Sequence, residues 1–190
     1  MRPSSLLFML LQLCCLQMLL LSRPACKLPG KWVETSVHLL HELGEPFPAK
    51  CSSVKGQVRF PDSALSAASG TGFDGRILGS LQCRRTLVVL YQFLQGAGAM
   101  FAEYDLPEGE GGVTWNNRKL EHYLNLQYRL VDEHPCLNTT ETSGVLTAYF
   151  SNVTAVVEQQ DSAPCGWEAL RRDLSWVLKS SVQQHRKCFK

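Results

Sequence analysis

The sequence predicts an all-α fold: a bundle of five main helices with one long early crossover, stapled by disulfides. Three observations carry this. Apolar residues recur at helical spacing along almost the whole chain, and no run alternates as a half-buried strand does. A long Ser/Ala/Gly-rich connection separates the first amphipathic stretch from the second. Six widely spaced cysteines follow an apolar leader, which puts them in an oxidising compartment.

The leader comes first. Arg2 supplies a short positive region, and Leu6 to Leu21 form an apolar run broken by Gln12, Gln17 and the Cys14-Cys15 pair. That run is shorter than the roughly 20 apolar residues of a membrane span, and two glutamines lie in its middle, so residues 1–25 read as a secretory signal peptide rather than an anchor. Cleavage is expected after Ala25, or after Ser22 because Arg23 is poor at the third position back. Residues 26–190 then form a single domain, expected to be secreted and extracellular. Loss of Arg2 and Arg23 leaves 17 basic residues against 17 acidic ones. A near-neutral chain argues against nucleic acid or an anionic membrane as the main partner, and nothing after residue 25 is apolar enough to insert in a bilayer.

Cys26, Cys51, Cys83, Cys136, Cys165 and Cys188 remain after the leader, with no C-x-x-C pair to suggest zinc or thiol–disulfide chemistry, so they read as disulfides. Asn138-Thr139-Thr140 and Asn152-Val153-Thr154 are N-glycosylation sequons, in keeping with export.

The first helix is predicted over about residues 31–43, where Trp32, Val33, Val37, Leu39, Leu40 and Leu43 share a broad face and Gly44 with Pro46 ends it. The crossover runs through Cys51 and Phe60-Pro61 to Gly75. A second helix, about 76–104, carries Leu87, Leu90, Leu94, Ala97 and Phe101 on one stripe, and Gly96 and Gly98 either weaken it or mark close helix contact. Asp105 to Val113 forms a flexible turn. Thr114 can cap a third helix to about Glu133, with Leu120, Tyr123, Leu124, Leu130 and Val131 inward, and His134-Pro135-Cys136 stops it. A fourth helix, about 143–160, groups Leu146, Tyr149, Phe150, Val153 and Val157 despite its Val and Thr content. Pro164 suits the first turn of a fifth, about 164–185.

Several motifs suggest chemistry and fail on context. Gly70-Thr71-Gly72-Phe73-Asp74-Gly75 matches G-x-G-x-x-G, but no strand precedes it and no strand–helix alternation surrounds it, so it reads as a loop. His38-Leu39-Leu40-His41-Glu42 has the acid outside the histidine pair, unlike either zinc-protease helix pattern, and both histidines project away from the apolar face. With no third ligand evident, no metal and no cofactor is expected. There is no G-x-S-x-G elbow, no lysine-bearing phosphate loop and no acidic cluster suited to general acid–base work, so the chain does not read as an enzyme.

On the last helix Trp167, Leu170, Leu174, Val177 and Leu178 form an inward stripe, with Arg171 at its border. Arg172 and Trp176 fall on the far side, one turn apart, with Lys179 close by, and Cys165 points the same way. A bridge from Cys165 would pin a loop across this outer side. Trp176 beside arginine has the composition of an interface hot spot; equally, the pinned loop could cover it as a satellite core.

Cys165-Gly166-Trp167-Glu168, followed by Leu170 and Arg171, resembles the C-A-W-E-x-x-R signature at the start of the last helix of type I interferons, the teleost-type members most closely, with Gly166 in place of the usual alanine. Cys26, Cys51, Phe60-Pro61 and Val113-Thr114-Trp115 extend the resemblance across the mature chain. It implies a helical cytokine fold, bridges Cys26–Cys136 and Cys51–Cys165, and leaves Cys83 and Cys188 either as a third pair or free. It also implies a ligand for a heterodimeric class II cytokine receptor, acting through Janus kinases and STAT factors to induce an antiviral state. The implied high-affinity contacts are Lys55, Ser52, Arg171 and Arg172, with Trp176 falling in the same region. Ser52 stands where the family often has an apolar contact, and lysine at 55 lacks the bidentate geometry of arginine. The second receptor chain would meet the side built by the second and third helices. Another class II helical cytokine, lambda-type or interleukin-ten-like, is the nearer alternative; a secreted disulfide-rich lipid-binding helical protein is the more distant one.

Overall fold

The computed structural model describes residues 26–66, 75–139 and 144–190. Residues 1–25 and most of the G-x-G-x-x-G match lie outside them. Six helices and no strand occur among the described residues: α1 (Gly30–Glu42), α2 (Ser63–Ser66), α3 (Gly75–Glu103), α4 (Asn117–Asp132), α5 (Gly144–Val157) and α6 (Ala163–Gln184). Five correspond to the predicted helices. The sixth, α2, is a single turn inside the crossover, which also contains the 3-10 turns Ala49–Cys51 and Val54–Gly56. None of the described helices is long and apolar enough to cross a membrane.

The helix faces follow the apolar spacing. Leu87, Leu90, Leu94 and Ala97 of α3 are buried, as are Leu120, Tyr123 and Leu130 of α4 and Leu146, Tyr149, Val153 and Val157 of α5. Each fully buried Leu, Val or Phe side chain contributes about 1.5–3 kcal/mol by leaving water. α6 packs against α1, α3 and α5 and against the crossover turn Val54–Gly56. Being surrounded, it buries polar residues as well: Glu168, Arg171, Asp173 and Ser181 join the inward stripe.

One helix start differs from expectation. Asn116, not Thr114, caps α4, its Oδ1 accepting from Lys119 N at 3.1 Å. The chain has to stay extended through Trp115, because Asn116 N donates to Leu43 O at 2.7 Å and the indole turns into the interior, 8% exposed. Gly96 and Gly98 do mark close contact: a Cβ at Gly96 would lie 2.2 Å from the Phe150 ring of α5, and one at Gly98 would lie 2.9 Å from Gln127 Nε2 of α4. Gly109 and Gly111 supply the positive φ values (83° and 86°) of the turn between α3 and α4.

Three disulfides cross the bundle: Cys26–Cys136, Cys51–Cys165 and Cys83–Cys188, closing sequence separations of 110, 114 and 105 residues. Bridges over loops this long contribute typically about 2–4 kcal/mol each, mainly by restricting the unfolded chain. The third settles the fate of Cys83 and Cys188. It fixes the tail 185–190 to α3, and the tail also pairs with the N-terminal segment, Lys190 N donating to Leu28 O at 3.0 Å and Gly30 N to Lys190 O at 2.9 Å.

Candidate functional site

The site is assembled around one buried ion pair. Glu168 and Arg171 sit one turn apart on α6, their side chains each 8% exposed, with Arg171 Nη2 2.7 Å from Glu168 Oε2. Trp115 Nε1 donates to the other carboxylate oxygen at 2.7 Å. The guanidinium then reaches beyond α6: Nη1 donates to Leu40 O (3.2 Å) and Gly44 O (3.4 Å), and Nη2 donates to Glu45 O. Those carbonyls belong to the end of α1 and the turn after it, the groups a helix terminus leaves without internal partners. Arg171 therefore holds the Gly44–Phe47 turn against α6.

The next residue holds the other wall. Arg172 donates through Nη2 to Val58 O of the crossover and through Nε to Asp173 Oδ1 (2.8 Å), and its guanidinium carbon lies 5.0 Å from the centre of the Phe47 ring. Asp173 Oδ2 accepts from Phe60 N (2.9 Å) and from Tyr149 Oη (3.1 Å). Burial pushes the Asp173 carboxyl above its ordinary range, against the opposing pull of Arg172; burial, then Asp173, push the Tyr149 phenol up. The Cys51–Cys165 bridge, with Cα atoms 5.2 Å apart, fixes the crossover to the start of α6.

Between these walls lies an open groove of about 380 Å³, lined along α6 by Arg171, Arg172, Ser175, Trp176 and Lys179 and opposite by Leu40, His41 and the Gly44–Phe47 turn. Trp176 is 42% exposed at its edge, with the Phe60 ring 6.1 Å away. The crossover shelters one side of the indole and leaves the other open. Lys55 and Ser52 are exposed on the crossover turns. Asn138, Asn152, His38 and His41 are exposed.

The structure thus brings Arg172 and Trp176 to one groove, with Lys55 on the turn packed against α6. It withdraws Arg171 into the interior, at 7% exposure. Spacing placed Arg171 at the border of the apolar stripe, but only the tertiary packing of α1 supplies the carbonyls that draw it in. Lys179 and the Gly44–Phe47 turn were not among the predicted contacts; the turn carries no charge pattern that could have marked it. The arrangement offers an apolar floor with cationic edges. Among the described residues no group of three His, Cys, Asp or Glu side chains could hold a metal ion.

Known proteins are similar to this chain in sequence and in fold. No protein-family model matches the chain. Interferon alpha-B of Bos taurus is 25% identical over 172 residues, covering 84% of this chain and 81% of its own, and interferon alpha-7 of Homo sapiens is 23% identical over 149 residues, covering 72% and 70%. The structure of zebrafish interferon 2 superposes with a TM-score of 0.62 at 26% identity, covering 83% of this chain and 99% of that one. The chain is a type I interferon-like protein. In this interferon-type helical cytokine the groove on α6 is bounded on one side by the crossover, joined to α6 by a disulfide, and on the other by a turn bonded to a buried arginine.

Proposed function

We propose that this interferon-like chain is secreted and binds two class II cytokine receptor chains, activates the associated Janus kinases and STAT factors, and so induces an antiviral state. One observation carries the reading furthest: a half-exposed tryptophan stands beside partly buried Arg172 and exposed Lys179 at the lip of a preformed groove. Interface energy concentrates in such aromatic and arginine anchors. The high-affinity receptor chain would seat an apolar side chain in the groove and carboxylates against Arg172, Lys179 and Lys55, with Ser52 at the rim. Arg171 would act indirectly, by fixing the turn that forms the opposite wall. The second receptor chain would meet the α3–α4 side, where Tyr128 is 67% exposed.

The test is STAT phosphorylation in receptor-bearing cells after addition of the purified mature protein, beside a Trp176→Ala/Lys55→Glu variant. Both positions are exposed and neither side chain hydrogen-bonds the crossover, so the variant should keep native circular dichroism. Loss of a hot-spot tryptophan costs about 2 kcal/mol or more, roughly a 30-fold rise in the dose needed. A full response from the folded variant would move the contact elsewhere on the molecule, and silence from folded native protein would sink the agonist reading.

A further inference from the structure

The far end of α6 gathers cations from three separate segments. The Cys83–Cys188 bridge, with Cα atoms 5.0 Å apart, sets Arg186 and Lys187 beside α3, and a Cβ on Gly79 would lie 3.8 Å from Lys187 Nζ. Lys27 Nζ donates to Lys187 O at 3.5 Å, and the backbone pairing of Lys190 with Leu28 and Gly30 draws Lys190 and Lys31 to the same end. Lys31, Arg84, Arg186, Lys187 and Lys190 are exposed and Lys27 is half-buried. The ion pairs among the described residues use other cations. Across residues 26–34, 79–88 and 183–190 the only acid is Glu34, one turn along α1 from Lys31.

Helix electrostatics do not account for the cluster. Arg186 and Lys187 follow the C-terminus of α6, where positive charge is favourable; Lys31 is in the first turn of α1, where it is not, and Arg84 is well inside α3. Six like charges gathered at one end of a chain whose mature form is balanced overall, 17 basic residues against 17 acidic, repel one another unless a polyanion lies across them.

We infer that this end binds a linear sulfated polysaccharide, laid over the tail 185–190, the 27–31 segment and the adjoining part of α3. The three-disulfide chain belongs in an oxidising compartment, where such polymers are found. A single-stranded nucleic acid would want aromatic rings for its bases, and Phe189 is buried. A membrane surface would want an apolar face to insert, and among the described side chains on the neighbouring stretch of α3 Leu81 is the one large exposed apolar group. The cluster lies about 20 Å along α6 from Arg172, at about 1.5 Å rise per residue, so the groove stays open while the polymer is bound.

Heparin binding by the purified mature chain tests this without cells or receptors, and so independently of the cytokine reading. Counterion release lowers log affinity by roughly 0.7 per engaged cation for each unit of log salt, so four to six contacts predict about a 50- to 300-fold loss between 50 and 200 mM NaCl. An Arg186→Gln/Lys187→Gln/Lys190→Gln variant, and separately Lys27→Gln/Arg84→Gln, should each bind at least about tenfold more weakly while keeping native circular dichroism and STAT activation. Unchanged heparin affinity in both variants would overturn the proposal. So would equal binding to unsulfated polysaccharide, or tighter binding to single-stranded DNA or phosphatidylserine vesicles in the same salt.

Discussion

Arg171→Met distinguishes a brace from a contact. In the native chain the guanidinium pairs with Glu168 and donates to the carbonyls of Leu40, Gly44 and Glu45, with both charged side chains 8% exposed. Methionine keeps much of the aliphatic stem but leaves Glu168 with Trp115 Nε1 as its remaining side-chain partner. Breaking a buried pair from one side costs about 3–5 kcal/mol, because the remaining charge stays out of water unpaired. At about 2–4 °C per kcal/mol for a domain of this size, Tm should fall by roughly 6–20 °C. Removing both charges, as Arg171→Met/Glu168→Gln, should recover part of that loss, since the double variant leaves no buried unpaired charge. Thermal unfolding with the disulfides intact, followed by circular dichroism, measures both. STAT activation measured below the lowered Tm supplies the second readout. A variant that melts within about 2 °C of the native protein yet no longer signals would refute the brace, and would restore Arg171 to the receptor contact that the sequence resemblance implies.

Other consequences are open to measurement. Gly96→Ala should cost about 1–3 kcal/mol, as the new methyl meets the Phe150 ring and α3 and α5 must part. Gly98→Ala should cost less, because about 1 kcal/mol of helix propensity offsets part of the cost of shifting the buried Gln127 amide, which donates to Leu94 O; urea titration compares the two. Asp173 sets a pH dependence opposite to that of most paired carboxylates. Its folded-state carboxyl lies above the unfolded value, so the folded state binds more protons, and stability falls as pH rises from the ordinary carboxylate range through the raised value, then levels off. Asp173→Asn, measured in urea across that window, should flatten the slope; an unchanged slope would assign it to another group.

Much of the bundle was legible because helix faces follow from spacing alone. Trp167, Leu170, Leu174, Val177 and Leu178 form the inward stripe of α6 and are all fully buried. What spacing hides is burial on more than one side. A helix surrounded by α1, α3, α5 and the crossover has no outward face along its first half, so Glu168 and Asp173, and Arg171 at the border of the stripe, are satisfied inside. The α4 cap moved from Thr114 to Asn116 for a related reason: the indole of Trp115 is needed by Glu168, a partner 53 residues away that no local pattern reveals. The groove shared this limit. Arg172 and Trp176 could be placed on one side of a helix, but the turn that faces them is positioned by Arg171 through backbone carbonyls, which carry no sequence identity at all.

The stretch Cys165 to Arg171 by which the chain resembles its family is accordingly a set of folding instructions. Cys165 bonds Cys51; Gly166 admits Val157, whose Cγ2 would lie 2.8 Å from a Cβ there; Trp167 fills the core; Glu168 and Arg171 tie α6 to Trp115 and to the end of α1. Every residue of it that carries the resemblance is used inside the molecule. Arg172 continues that internal role by bonding Val58 O and Asp173, and the groove residues beyond it, Ser175, Trp176 and Lys179, are the ones we propose meet a partner. Selection on the fold constrains the first group through packing and buried charge, while selection on a receptor constrains the second through the shape and charge of another protein. Two chains can therefore share the first group and diverge in the second, keeping the bundle while changing what it binds. Exchanging positions 175, 176 and 179 for those of a relative should transfer receptor preference with a change in Tm of only a few degrees, whereas exchanging 165–171 should leave receptor preference where it was.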